Sequence, residues 1–220
     1  MALHELPFES AGAPLEEARA VVILVHGRGA SAMNILTLAD SFDRTDVAYL
    51  APQASGGTWY PHSFLVPLPL NEPALSDALA AMGRTCAVAT NAGIDPTRIV
   101  LMGFSQGACL SLEFAARNPR RYGGVVAFSG GLIGNGQIPG VDPPVDKRFD
   151  YTGWLDSTPV FLGCSDVDPH IPLQRVLDSA DVLEKLGGDV TRRVYRGMAH
   201  TINDDEIAFA DSMLNTVGAG

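Results

Sequence analysis

Arg98-Ile99-Val100-Leu101-Met102-Gly103-Phe104-Ser105-Gln106-Gly107-Ala108-Cys109-Leu110-Ser111-Leu112-Glu113-Phe114-Ala115-Ala116 joins two apolar runs through a serine flanked by glycines. The run from Ile99 to Met102 suits a buried strand, and the run from Ala108 onward suits a helix. Between them stands G-x-S-x-G. A serine at a strand-to-helix turn sits on a tight, strained bend that holds its hydroxyl outward. Gly103 and Gly107 leave room where side chains would clash. The Gln106 N–H, at the start of the helix, points toward whatever Ser105 attacks. In a chain with 23 glycines the bare motif is weak, but strand, turn and helix in that order make it specific.

A serine hydroxyl is a poor nucleophile until a base takes its proton. Histidine is the usual base, because its pKa lies near neutrality. Of the five histidines (His4, His26, His62, His170 and His200), only His170 and His200 follow Ser105. Enzymes built on this elbow run nucleophile, acid, base along the chain. His200 follows a strand pattern ending at Tyr195 and precedes a helical pattern at 204–214. That places it on a loop at a strand's C-terminal end, where sites of parallel sheets form. His170 lies between Pro169 and Pro172 and reads as a solvated loop histidine. The acid belongs after the apolar run Pro159-Val160-Phe161-Leu162-Gly163, where Asp166 and Asp168 both qualify. Position alone leaves both open, and either could instead hold a loop N–H.

An oxyanion hole needs two donors. The Gln106 N–H is one. The second comes from the loop after the first central strand, His26-Gly27-Arg28-Gly29-Ala30, with the Arg28 N–H as candidate. The Arg28 side chain reads as solvated or ion-paired, and His26 as a hydrogen-bonding post for the loop.

Together, Leu24-Val25-His26-Gly27-Arg28-Gly29, Gly103-Phe104-Ser105-Gln106-Gly107, Asp168-Pro169-His170-Ile171-Pro172 and Gly197-Met198-Ala199-His200 run through most of the chain. In this combination the sequence resembles the phospholipase/carboxylesterase family of α/β-hydrolases, which includes the acyl-protein thioesterases. The resemblance implies Ser105 as nucleophile, Asp168 rather than Asp166 as acid and His200 as base. It also implies the N–H groups of Arg28 and Gln106 as oxyanion donors. Thr58-Trp59-Tyr60-Pro61-His62-Ser63-Phe64 is similar to bacterial carboxylesterase members. Leu162-Gly163-Cys164-Ser165 lacks the histidine that thioesterase members carry before the glycine preceding the acid.

Apolar runs alternate with helical patterns. Strands centre on Ile23, Tyr49, Val100, Val126, Phe161 and Val194, and helices cover 35–42, 72–91, 108–117, 172–186 and 204–214. Such alternation predicts an α/β fold, a mostly parallel central sheet with helices on both faces. At 220 residues the chain is most simply one domain spanning 1–220. The segment 130–159, rich in Gly and Pro, is long for a connection and leaves a lid role open. No run of about 20 apolar residues predicts a membrane span. Residues 1–9 lack a charged-then-apolar signal pattern. Cys86, Cys109 and Cys164 are scattered, which argues against a disulfide framework or zinc site and fits the cytoplasm. A net charge of −10 works against nucleic-acid partners. The expectation is a monomer or homodimer without metal or organic cofactor.

Trp59, Tyr60, Phe64 and Leu65, followed by Val66, Leu68 and Leu70, form an apolar cluster broken by prolines. It either lines an acyl pocket or packs on the core. The resulting expectation is a serine carboxylesterase that hydrolyses short- to medium-chain esters through an acyl-enzyme, with lysophospholipase or acyl-protein thioesterase as the nearby alternative. A non-catalytic binding module would have no need of Ser, Asp and His in this order. A dienelactone-type hydrolase would carry cysteine at position 105.

Overall fold

Strands β2 (Ala20–Val25) and β3 (Val47–Pro52) are buried along their whole length, β4 (Ile99–Phe104) is buried up to its last residue, and β5 (Gly124–Phe128) is buried throughout. Unbroken apolar runs of this kind fit a parallel sheet covered on both faces. The computed structural model, which describes His4 and residues 7–137 and 147–218, supplies both covers. One consists of α2 (Ala74–Asn91), α3 (Gln106–Arg117) and α4 (Leu173–Lys185), packed on Val21, Ile23, Leu101, Val125 and Leu162. The other consists of α1 (Ala32–Leu36) and α5 (Asp204–Thr216), packed on Val22, Leu24, Val100, Met102 and Phe161. Adjacent strand residues thus serve opposite cores, as the two-residue pleat requires.

With β1 (Phe8–Gly12), β8 (Pro159–Ser165) and β9 (Asp189–Tyr195), the main sheet has seven strands in the order β1-β3-β2-β4-β5-β8-β9. Only β1 runs antiparallel to its neighbour. All six expected strand centres fall inside these strands. Edge strand β1 carries too little apolar character to show in the sequence, and its residues are mostly exposed. A second ladder pairs β6 (Gly136–Gln137) with β7 (Lys147–Arg148). Both lie within the segment 130–159, whose lid role the sequence leaves open; of that segment, 138–146 fall outside the described residues.

The expected helix at 35–42 is corrected. A short α1 spans Ala32–Leu36, and a 3₁₀ turn follows at Thr37–Ser41. Ser31 caps the helix by accepting the Asn34 N–H at 3.2 Å, which moves its start upstream of the apolar pattern.

The chain leaves β2 toward β3 on one side, then crosses back to β4 on the other. The crevice between the C-terminal ends of β2 and β4 is therefore a topological switch point, where such sheets bind ligands. Register places Val25 beside Gly103, Phe104 beside Phe128, Phe128 beside Gly163 and Ser165 beside Tyr195. The loops after β2, β4, β8 and β9 thus emerge along one edge.

Candidate active site

Ser105 stands between β4 and α3 with φ +56° and ψ −118°. Such a positive φ is strained for a non-glycine residue and persists only where the surroundings enforce it. The Ser105 N–H donates to the Phe128 carbonyl at 2.9 Å, and its carbonyl accepts the Cys109 N–H at 3.0 Å. A Cβ on Gly107 would run into the carbonyls of Val25 and His26, and one on Gly103 into the backbone of Gly107. The glycines of the motif let α3 dock against the end of β2.

His200 reaches Ser105 from the loop after β9, with Nε2 2.9 Å from Oγ. Its Nδ1 lies 2.6 Å from Asp168 Oδ2. The second carboxylate oxygen, Oδ1, accepts the N–H groups of His170 and Ile171 at 2.8 and 3.0 Å. The Asp168 side chain is fully buried. Burial works to raise its pKa, but the bonds from His200 and the two N–H groups outweigh it and hold the carboxyl below the usual value. Asp166 takes a different place: its Oδ1 accepts the Gly197 N–H at 2.7 Å, bracing the loop that carries His200. Phe104 packs on the His200 ring, with centroids 4.9 Å apart.

Gln106 opens α3, so its N–H has no intrahelical acceptor. The Arg28 N–H meets no acceptor among the described residues. The Arg28 loop lies close to the serine, since a Cβ on Gly27 would stand 3.5 Å from the Ser105 Cβ. Arg28 is exposed, as expected, and forms no ion pair among the described residues, but its side chain is not idle. Its guanidinium donates to Thr58 Oγ1 and to the carbonyls of Tyr60, Pro61 and His62, at 2.7–3.0 Å. The Gln106 amide grips the same loop, accepting from the Trp59 N–H and donating to the Tyr60 carbonyl, both at 2.9 Å. His26 is fully buried, faces the Gly27 carbonyl through Nδ1 and accepts the Ala54 N–H at Nε2. Burial lowers its pKa and favours the neutral ring.

A cavity of about 450 Å³ opens over Ser105. Tyr60, Phe64, Cys109 and Ile171 form its buried apolar part. Of the expected pocket residues, Tyr60 and Phe64 line it, whereas Trp59 and Leu65 do not. Trp59 is fully buried, and its indole N–H donates to the His26 carbonyl at 2.9 Å. Leu65 packs on the core. The apolar cluster thus divides between pocket wall and foundation. Behind Phe64, the Lys147 ammonium donates to the Phe64 carbonyl, while burial lowers the lysine pKa to about 8. Burial pushes the Cys109 thiol up to about 12, so this cavity-lining cysteine stays protonated at neutral pH. Among the described residues, no group of three His, Cys, Asp or Glu side chains could hold a metal ion. No described helix is long and apolar enough to cross a membrane.

Two features escape the sequence reading. The Gln106 side chain is a loop anchor, which nothing in G-x-S-x-G announces. His170 is exposed, as expected, but its ring stands edge-on to His200 with centroids 4.9 Å apart, and it lines the cavity. Its position two residues after Asp168, in a turn bounded by prolines, is the signal that could have revealed this.

A serine elbow at the switch point of a mostly parallel seven-stranded sheet, faced by a histidine and a carboxylate, defines an α/β-hydrolase. The Phospholipase/Carboxylesterase family profile matches residues 9–218, and the chain belongs to that family. Among solved structures, a phospholipase/carboxylesterase from Dyadobacter fermentans is 39% identical with a TM-score of 0.89, covering 98% of this chain and 99% of that one. Acyl-protein thioesterase 1 of Saccharomyces cerevisiae is 28% identical over 89% of this chain and 91% of its own length. The Bacillus cereus carboxylesterase, at 18% identity, covers 96% of this chain and 93% of that one with a TM-score of 0.69, and shares the fold.

Proposed function

We propose that the protein is a serine carboxylesterase that hydrolyses short- to medium-chain carboxylic esters. One observation carries this reading: the continuous contact from Ser105 Oγ through His200 to Asp168, at 2.9 and 2.6 Å. In the proposed mechanism, His200 takes the Ser105 proton as Oγ attacks the ester carbonyl. Asp168 holds the imidazole tautomer and stabilises the imidazolium. The oxyanion rests on the N–H groups of Arg28 and Gln106, each lowering the barrier by roughly 3–4 kcal/mol. His200 then protonates the leaving alcohol. Water activated by the same histidine releases the acid from the acyl-enzyme. The buried Tyr60, Phe64 and Cys109 around the apolar end of the cavity support a bounded acyl group.

Hydrolysis of p-nitrophenyl esters from acetyl to palmitoyl, with Ser105→Ala in parallel, tests the reading. We expect a peak at short or medium chains and a loss on the order of 10⁶ in kcat in the variant. Fluorophosphonate labelling of wild type but not of Ser105→Ala is the companion result. Activity that persists in the variant, or an unreactive serine, overturns the reading.

The yeast relative supports a second reading, thioester hydrolysis, because its name states that activity for that protein. An acyl-thioester assayed beside the matching oxygen ester separates the two. A higher kcat/KM on the thioester favours this alternative.

A further inference from the structure

The imidazole of His170 lines the cavity over Ser105, yet the proposed reaction gives it no task. Its backbone N–H is committed to Asp168 Oδ1 at 2.8 Å. Neither ring nitrogen has a hydrogen-bond partner among the described residues. The ring is held in place by the Asp168-Pro169-His170-Ile171-Pro172 turn and by its edge-on contact with His200, 4.9 Å between centroids. A placed imidazole with two free nitrogens can bond a substrate.

Which part of the substrate it meets follows from the reaction. The buried apolar end, at Tyr60, Phe64 and Cys109, suits the acyl group. The oxyanion lies toward the Arg28 loop and the start of α3. The leaving alcohol must lie by His200, which returns its proton. His170 is exposed and adjoins His200, so it stands on the alcohol's side.

The charge of the cavity suggests what that alcohol carries. The chain holds 25 acidic and 15 basic residues, yet among the described residues no Asp or Glu lines this cavity. The lining includes Arg28, whose guanidinium donates to uncharged oxygens and is paired with no carboxylate among the described residues. An anionic substituent therefore meets the positive charge of Arg28 on the lining, while the Asp168 carboxylate behind His170 does not line the cavity and has both oxygens bonded, to His200 and to the N–H groups of His170 and Ile171.

We infer that His170 is a specificity-determining residue that donates a hydrogen bond to an anionic oxygen, of carboxylate or phosphate, on the alcohol part of the ester. The inference rests on the serine-esterase reading above. It is tested by the ratio of kcat/KM within two pairs of acetyl esters. The first pair is 3-acetoxybenzoate and phenyl acetate. The second is 1-acetylglycerol 3-phosphate and 1-acetylglycerol. Within each pair the acyl group is the same and the anion is present or absent. We expect wild type to favour the anionic member of at least one pair by about tenfold, the effect of one hydrogen bond to a charged group. Preference in the first pair assigns a carboxylate, and preference in the second a phosphate. His170→Phe keeps a ring against His200 but removes the donor, and should bring the ratio near one. His170→Gln keeps an N–H donor and should retain part of it.

A wild-type ratio at or below one in both pairs overturns the inference without any variant. So does a His170→Phe ratio equal to that of wild type, whatever happens to the absolute rates, since a role confined to packing on His200 would slow both members alike. Failure of the serine-esterase reading looks different: the neutral esters would be untouched and Ser105 unlabelled.

Discussion

At the scale of single residues, two buried carboxyls near the site are tuned in opposite directions. Asp168 accepts three hydrogen bonds and is held ionised. Its contribution to stability is present above the unfolded-state pKa and is lost as pH falls through the lower folded value. Glu206 is fully buried on α5 and lies against Gly163 of β8. One oxygen accepts the Asn203 N–H at 2.9 Å, and the other, Oε1, has no hydrogen-bond partner among the described residues. Burial raises its pKa from 4.5 to about 7. Between those values the native state keeps a proton that the unfolded chain has released, so stability falls as pH rises through that window. Glu206→Gln should therefore stabilise the protein at pH 8, on the order of 3 kcal/mol, and have little effect near pH 4.5. Thermal melting of both forms across pH 4.5–8 checks this; an offset constant with pH would contradict it.

At the scale of elements, the loop from Thr58 to Phe64 is held from two sides, by the Arg28 guanidinium and the Gln106 amide. Arg28→Ala removes the first clamp but keeps the backbone N–H. We expect a loss of about 2 kcal/mol in stability and a severalfold rise in KM as the Tyr60 and Phe64 walls loosen, with kcat falling less than tenfold. A fall of 10³ in kcat at unchanged KM would refute the clamp. Helix ends show what was legible here. Gly187, at φ +80°, follows the cap of α4, so the Gly-Gly stop was readable from glycine's tolerance of that conformation. The 130–159 segment was not, because its two-residue strands are too short to carry any periodicity. Trp59 and Tyr60 are adjacent, equally apolar and equally buried, yet only Tyr60 reaches the cavity. No local pattern distinguishes them; the direction of the turn does.

At the scale of the molecule, the two cores sandwich the sheet, and the central strands couple them. Leu101 is fully buried in β4, one of the strands flanking the switch point. Leu101→Ala should cost about 2–5 kcal/mol and lower Tm by about 5–15 °C. It should leave KM near the wild-type value while the protein stays folded, because Leu101 does not line the cavity. Calorimetry together with ester kinetics at 25 °C checks both halves.

Sequence by itself determined the alternation of strand and helix, the strained serine turn and the order of serine, acid and histidine, because each rests on local sterics or chain order. Tertiary structure alone decided which contacts those residues make. It set Asp168 against His200 and Asp166 against the Gly197 N–H, turned Arg28 into a clamp, and brought His170 beside His200. Asp166 and Asp168 are two residues apart on one loop with the same side chain. Which of them reaches His200 depends on how the ends of β8 and β9 bring their loops together, a geometry that no local run of residues encodes.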